Sequence, residues 1–213
     1  MTYEKILESL DAKNWHSLTE DEKIDFFQSL ECYMAVENNR QACTVNGKFL
    51  YTGEEGVVLG QYSPERGEID INVSQFDEYS LYGKTPDRLV QTCLHEGRHA
   101  LQHQVAEGLV EYPNKEIAEE WKLNLEEGNY ISYEDNPRGY YNQPVERDAR
   151  SFAEQRYKEL LEEKEQYSLE KNESEIIELD TASKVFDSQM ESIEKNAANY
   201  VSNSVEIKNN HGM

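Results

Sequence analysis

Leu94-His95-Glu96-Gly97-Arg98-His99 is the stretch on which the reading of this chain turns, a His-Glu-x-x-His pattern set in a run of helical periodicity. At 3.6 residues per turn, positions four apart lie about 40° apart around the axis, so His95 and His99 project one above the other. Both imidazoles can then address one metal ion. Glu96 is turned about 100° from His95, which sets its carboxylate beside that ion, where it can accept a proton from water. Such a pattern implies a zinc-dependent hydrolase.

The flanking residues support a helix here. Thr85-Pro86-Asp87 reads as its start, with Thr to cap, Pro pre-set for the first helical position and Asp complementing the positive end of the dipole. Leu89, Val90, Cys93, Leu94, Gly97, Ala100 and Leu101 then recur at three- and four-residue spacings, an apolar face with the histidines at its margin. That margin suits the floor of a cleft. The competing reading is a packed or solvated histidine pair, against which the intervening Glu and the helix start both weigh.

A catalytic zinc takes three protein ligands and keeps a fourth position open. The candidate third ligand is Glu146, in the run Asn142 to Ala153, where Pro144 falls near the first turn of a second long helix. These residues resemble the gluzincin branch of the zincin metallopeptidases, whose ligand helix often reads Glu-x-x-Ala-Asp, sometimes followed closely by an aromatic residue. Glu146 and Ala149 match that pattern, and Phe152-Ala153 is compatible with its continuation. Arg150 departs from it, standing where many members have an Asp that orients the first histidine, so that role is unassigned. Asp148, two residues from Glu146 on another side of the helix, is the alternative ligand. It is also placed to pair with Arg147 or Arg150, or to orient an imidazole. His103 continues the histidine face, but lies too far along the axis to close a tetrahedron with His95 and His99. It is read as cleft-lining or solvated. The metzincin pattern agrees only as far as the second His, because Gln102 and Val105 occupy the positions where it needs Gly and His.

The resemblance covers the two ligand helices and their spacing. It implies a zincin-like α+β fold and Zn2+ held by His95, His99 and Glu146. It also implies a peptidase in which Glu96 is the general base that takes a proton from the attacking water and passes it to the leaving amine. Zincins commonly stabilise the oxyanion with a Tyr, His or Arg, and Tyr130, Tyr133, Tyr140 and Tyr141 all precede the Glu146 helix. For any one of them, a loop or core aromatic is the plainer reading.

Around this centre the chain reads as α+β. Thr19-Glu20-Asp21-Glu22 is a capping-box pattern ahead of Ile24, Phe27, Leu30 and Met34. Phe49-Leu50-Tyr51, Val57-Val58-Leu59 and Glu68 to Val73 read as short strands, the last two joined through Ser63-Pro64-Glu65-Arg66-Gly67 as a hairpin. In zincins such a sheet lies upstream of the motif helix, and its edge strand often pairs with extended substrate. Ile117, Trp121 and Leu125 mark another helix, closed by Gly128, that would wall the cleft. After Tyr157 the acidic run through Glu175 is a solvated helix face or linker. Phe186, Met190, Ile193, Ala197 and Val201 restore a stripe able to dock on the domain or a partner, before an Asn-rich end expected to be disordered. The expected divisions are a helical segment over 1–46 packed on the core, a zincin-like catalytic core over 47–166, and an acidic helical appendage over 167–213.

A formal charge of -22 argues against nucleic acid and anionic membranes, both of which would repel the chain. Peptide or protein is the expected substrate, with steering of cationic peptides a possible bonus of a charge that otherwise serves solubility. No apolar run approaches a membrane span and the first residues lack a signal peptide's basic and apolar blocks, so the expectation is a cytosolic protein unless a leaderless route exports it. Cys32, Cys43 and Cys93 are too scattered for a disulfide framework and read as reduced thiols. Two further functions remain open. A degenerate zincin fold that binds or regulates without turnover would lack zinc or turn Glu146 away from the histidines. A helical interaction protein with a chance motif would scatter or bury the pair.

Overall fold

Capping sets where the N-terminal helices begin. Thr2 caps α1 (Tyr3–Ser9), Asp11 caps α2 (Ala12–Ser17), and Thr19 with Glu22 forms a complete capping box at the start of α3 (Glu20–Glu37). Burial then joins them: Trp15, Phe26, Phe27 and Phe76 meet in edge-to-face and stacked contacts with ring centroids 5.1–6.0 Å apart. The computed structural model describes residues 1–53 and 56–209, with side chains to residue 190 apart from 52, 53 and 182.

The sheet has three strands, β1 (Thr44–Lys48), β4 (Gly60–Ser63) and β5 (Glu68–Asn72), in the order β1-β5-β4. β1 runs parallel to β5, whereas β4 is antiparallel to it and leaves one edge unpaired. Two residues each form β2 (Thr52–Gly53) and β3 (Gly56–Val57), a separate antiparallel pair.

These positions correct two expectations. Phe49-Leu50-Tyr51 is not a strand, and Phe49 and Tyr51 are 84% and 80% exposed. The strand lies just before it because α3 holds that segment: Gln28 bonds Cys43 O and Val45 N, and Glu31 accepts from Cys43 N. The hairpin partner of β5 is residues 60–63 rather than Val57-Val58-Leu59, since the Ser63 to Gly67 turn sets the register Ser63↔Glu68 and Gly60↔Ile71. Gly60 permits close seating on the next helix, because a Cβ there would lie 2.7 Å from Thr92 Cγ2.

That helix, α4 (Asp87–Ala106), carries the His-Glu-x-x-His pattern. Its start differs in one respect: Pro86 occupies the capping position and no side chain caps it, so Thr85 does not serve. α5 (Lys115–Leu125) is capped by Asn114 and ends before Gly128, which lies in the left-handed region at φ 85°. A short α6 (Pro137–Asn142), capped by Asn136, occupies the Tyr-rich stretch that reads as loop in the sequence. α7 then runs from Pro144 to Asn209. By compactness the chain divides into Met1–Glu165 and Gln166–Met213. In the second unit the described apolar side chains, Phe186 and Met190 among them, are exposed. Ile193, Ala197 and Val201 as side chains, and the expected disorder of the Asn-rich end, lie outside the described residues. Among the described residues no helix is long and apolar enough to cross a membrane. Cys43 and Cys93 are buried and Cys32 exposed, all free, and burial pushes the Cys43 thiol up to about 12.

One buried ion pair underlies the motif helix. Arg40 reaches Glu31 through two nitrogens at 2.6 and 2.7 Å, and the two side chains are 2% and 1% exposed. It packs beneath Gly97, where a Cβ would come within 2.9 Å of Glu31 Oε2 and 3.0 Å of Arg40 Nη2. Glu31→Ala would strand a buried guanidinium and the Cys43 N–H. The expected cost is about 3–5 kcal/mol in urea unfolding; a loss under about 1 kcal/mol would mean water replaces the carboxylate.

Candidate metal centre

The one-turn spacing in α4 brings His95 Nε2 and His99 Nε2 to 3.0 Å, with ring centroids 4.6 Å apart and planes nearly perpendicular. α7 supplies the third group from its first turn. Val145 is fully buried and Glu146 only 1% exposed, so the helix start is sunk in the core with its carboxylate aimed at the histidines. Glu146 Oε2 lies 3.4 Å from His95 Nε2 and Oε1 3.4 Å from His99 Nε2.

The geometry fits a metal. Zinc–nitrogen bonds of 2.0–2.1 Å arranged tetrahedrally place donor atoms about 3.3–3.4 Å apart, and here the separations are 3.0, 3.4 and 3.4 Å. His95, His99 and Glu146 can therefore hold a metal ion, all three donor atoms lying within 4.8 Å of one another. Burial alone would raise the Glu146 carboxyl, yet the hydrogen bonds from His95 and His99 outweigh it and hold it well below the usual carboxylate range. Burial alone would lower His99, yet Glu146 and the charge of Glu96 bring it above its ordinary value. Both shifts follow from the Glu146 carboxylate lying against the two imidazoles.

A residue that the sequence reading passed over orients His99. Gln102, fully buried, donates through Nε2 to Val145 O at 2.9 Å and Asp148 Oδ2 at 2.8 Å, so its Oε1 is left to face His99 Nδ1 at 2.8 Å. An oxygen there requires the proton on Nδ1 and leaves the Nε2 lone pair for a metal. Its signal was its place three residues after His99, on the next turn of the same helix.

Asp148 points away from the three donors. It accepts from Arg98 Nε at 2.8 Å and Nη2 at 3.1 Å as well as from Gln102. This corrects the expected pairing with Arg147 or Arg150: Arg147 meets Glu120 at 3.7 Å, and Arg150 donates to Tyr141 O while lying on the Tyr141 ring. Arg98 wins because it is caged, with its guanidinium over Trp121 and Phe152 and bonded to Tyr112 Oη. Asp148 thus acts on His99 through Gln102. Asn124 and Gln143 brace the start of α7: Asn124 accepts from Val145 N and donates to Gln143, which bonds both backbone groups of Ile131. That clamp places Tyr130 beside the site.

Of the four tyrosines, Tyr130 donates to Glu146 Oε1 at 3.0 Å and Tyr140 lines the same cleft. Burial first, then the Glu146 charge, raises both phenols. Tyr133 packs edge-on against Tyr140, and Tyr141 faces outward. The cleft holds about 430 Å³, with β4 along one side and His103 against Tyr62 on its wall. Burial lowers the His103 pKa. Glu96 borders this cleft without joining the donor triangle.

No family model, curated protein or solved structure matches this chain.

Proposed function

We propose that this chain is a zinc-dependent peptidase of the gluzincin type, with His95, His99 and Glu146 as ligands and Glu96 as general base. The observation that carries the reading is the donor triangle with a carboxylate beside it, opening on a cleft along an edge strand. Bound zinc would supply Lewis-acid activation of a water and of the scissile carbonyl. Glu96 accepts the water proton and returns it to the leaving amine. Tyr130 and Tyr140, which line the cleft beside the donors, are the hydroxyls that would donate to the developing oxyanion. β4 offers unpaired backbone groups for an extended peptide, and Gln102 keeps His99 in the tautomer that presents Nε2. A protein that binds without turnover would use the same donors but has no need of Glu96 at their margin.

The test is metal content with hydrolysis. Purified chain supplemented with zinc and mildly dialysed should retain about one equivalent, as a three-ligand site with His99 already held by Gln102 binds tightly. It should also cleave an unstructured protein in a chelator-sensitive way. Less than about a tenth of an equivalent, unchanged by His95→Ala, overturns the metal reading; one equivalent with no cleavage favours the binding module.

A further inference from the structure

The cleft does not end at the donors. A second hollow of about 160 Å³ lies between α4 and α7, and His95 and Glu96 border both spaces. Glu96 therefore has room on either side, as a chain-like substrate passing across it would need.

Two arginines line this second hollow. Arg88 precedes His95 by seven residues, two turns or about 10 Å along the same stripe of α4. Arg150 follows Glu146 by four, one turn or about 6 Å along α7. At about 3.3–3.6 Å per extended residue, these rises place both positions two or three residues from His95 and Glu146, beside which the bond hydrolysed with the help of Glu96 would lie.

Their partners are neutral. In a chain with 43 acidic and 21 basic residues, Arg40, Arg66, Arg98, Arg147 and Arg156 all meet carboxylates. Among the described residues Arg88, Arg138 and Arg150 make no ion pair within 4 Å, and of these three Arg88 and Arg150 line the hollow. Arg150 is held by the Tyr141 carbonyl and ring, and Arg88 lies 5.9 Å from the Tyr82 ring centroid. Such contacts hold a guanidinium without neutralising it, which leaves N–H donors for a planar anion. Glu154 shares the wall and offsets part of the charge.

We infer that Arg88 and Arg150 form a subsite for a substrate carboxylate two or three residues from the scissile bond, either a free C-terminus or an Asp or Glu side chain. The inference rests on the peptidase reading. It gives Arg150 a task at the position where the resemblance led to an Asp.

The test uses the zinc-loaded full chain and a peptide it cleaves. That peptide is remade with a terminal acid or amide, and with Asp or Asn, or Glu or Gln, two and three residues from the cleaved bond on each side. One carboxylate form should be cleaved with kcat/KM about tenfold or more above its neutral counterpart, the scale of a charged hydrogen bond. Which pair shows the difference identifies the terminus or the side chain as the source. Arg88→Gln with Arg150→Gln should bring the ratio to about one, and Glu154→Gln should raise it. Equal cleavage of every pair by the unaltered enzyme overturns the subsite and leaves the peptidase standing, even if the double variant fails to fold. A ratio that survives in a double variant retaining zinc also overturns it. Failure to cleave any peptide removes the peptidase reading, and the subsite with it.

Discussion

Glu96→Gln should keep the fold and the zinc and lose hydrolysis by about a hundredfold or more, the scale of removing a positioned general base. The amide matches the carboxylate in size but cannot accept the water proton. Glu96 stands outside the donor triangle of His95, His99 and Glu146, so the ligands keep their places. Zinc content and turnover on a peptide already shown to be cleaved check both halves. Near-normal turnover in a zinc-replete variant would show that another group takes the proton.

The second large effect separates the two carboxylates of α7. Glu146→Ala leaves two imidazoles and should collapse zinc affinity. Asp148→Asn only weakens the grip of Arg98 and Gln102, and through Gln102 the aim of His99, so it should cost about ten- to a hundredfold, as outer-shell partners do. Competition with a chelator orders the two: Glu146→Ala should surrender zinc at a concentration that Asp148→Asn withstands. The reverse order would make Asp148 the ligand and require a rotation of α7 that breaks its bonds to Arg98.

Gln102 and Asp148 show where local reading stops. The sequence led to an imidazole-orienting Asp at position 150, found Arg there, and left the role open. The structure supplies an orienting group for the other histidine, His99, from α4 itself, because a side chain three residues on meets the next turn of its own helix. Nothing in the spacing says that Val145 O and Asp148 will fix the rotation of that amide, since both arrive from a helix more than 40 residues away in sequence.

The strands divide in the same way. Phe49-Leu50-Tyr51 has the composition of a strand and lies outside one, whereas Thr44–Lys48, with Asn46 and Gly47, pairs with β5. Strand preference reflects packing more than backbone, and here the bonds from Gln28 and Glu31 decide which residues enter the sheet.

By itself the sequence determined what depends on neighbours along the chain: the capping box of α3, the stripe of α4, the start of α7 at Pro144, and His95 and His99 on one side of a helix. Each follows from helical period and local hydrogen bonding, which act within about four residues. Only the tertiary structure decided that Glu146 rather than Asp148 faces the histidines, that Tyr130 and Tyr140 rather than Tyr133 and Tyr141 line the cleft, and that Arg98 and not Arg147 or Arg150 meets Asp148. Two carboxylates on one helix differ only in rotation about its axis. That rotation is set by what the helix buries: Val145, Ala149 and Ala153 turned into the core, with Asn124 and Gln143 holding the first turn in place.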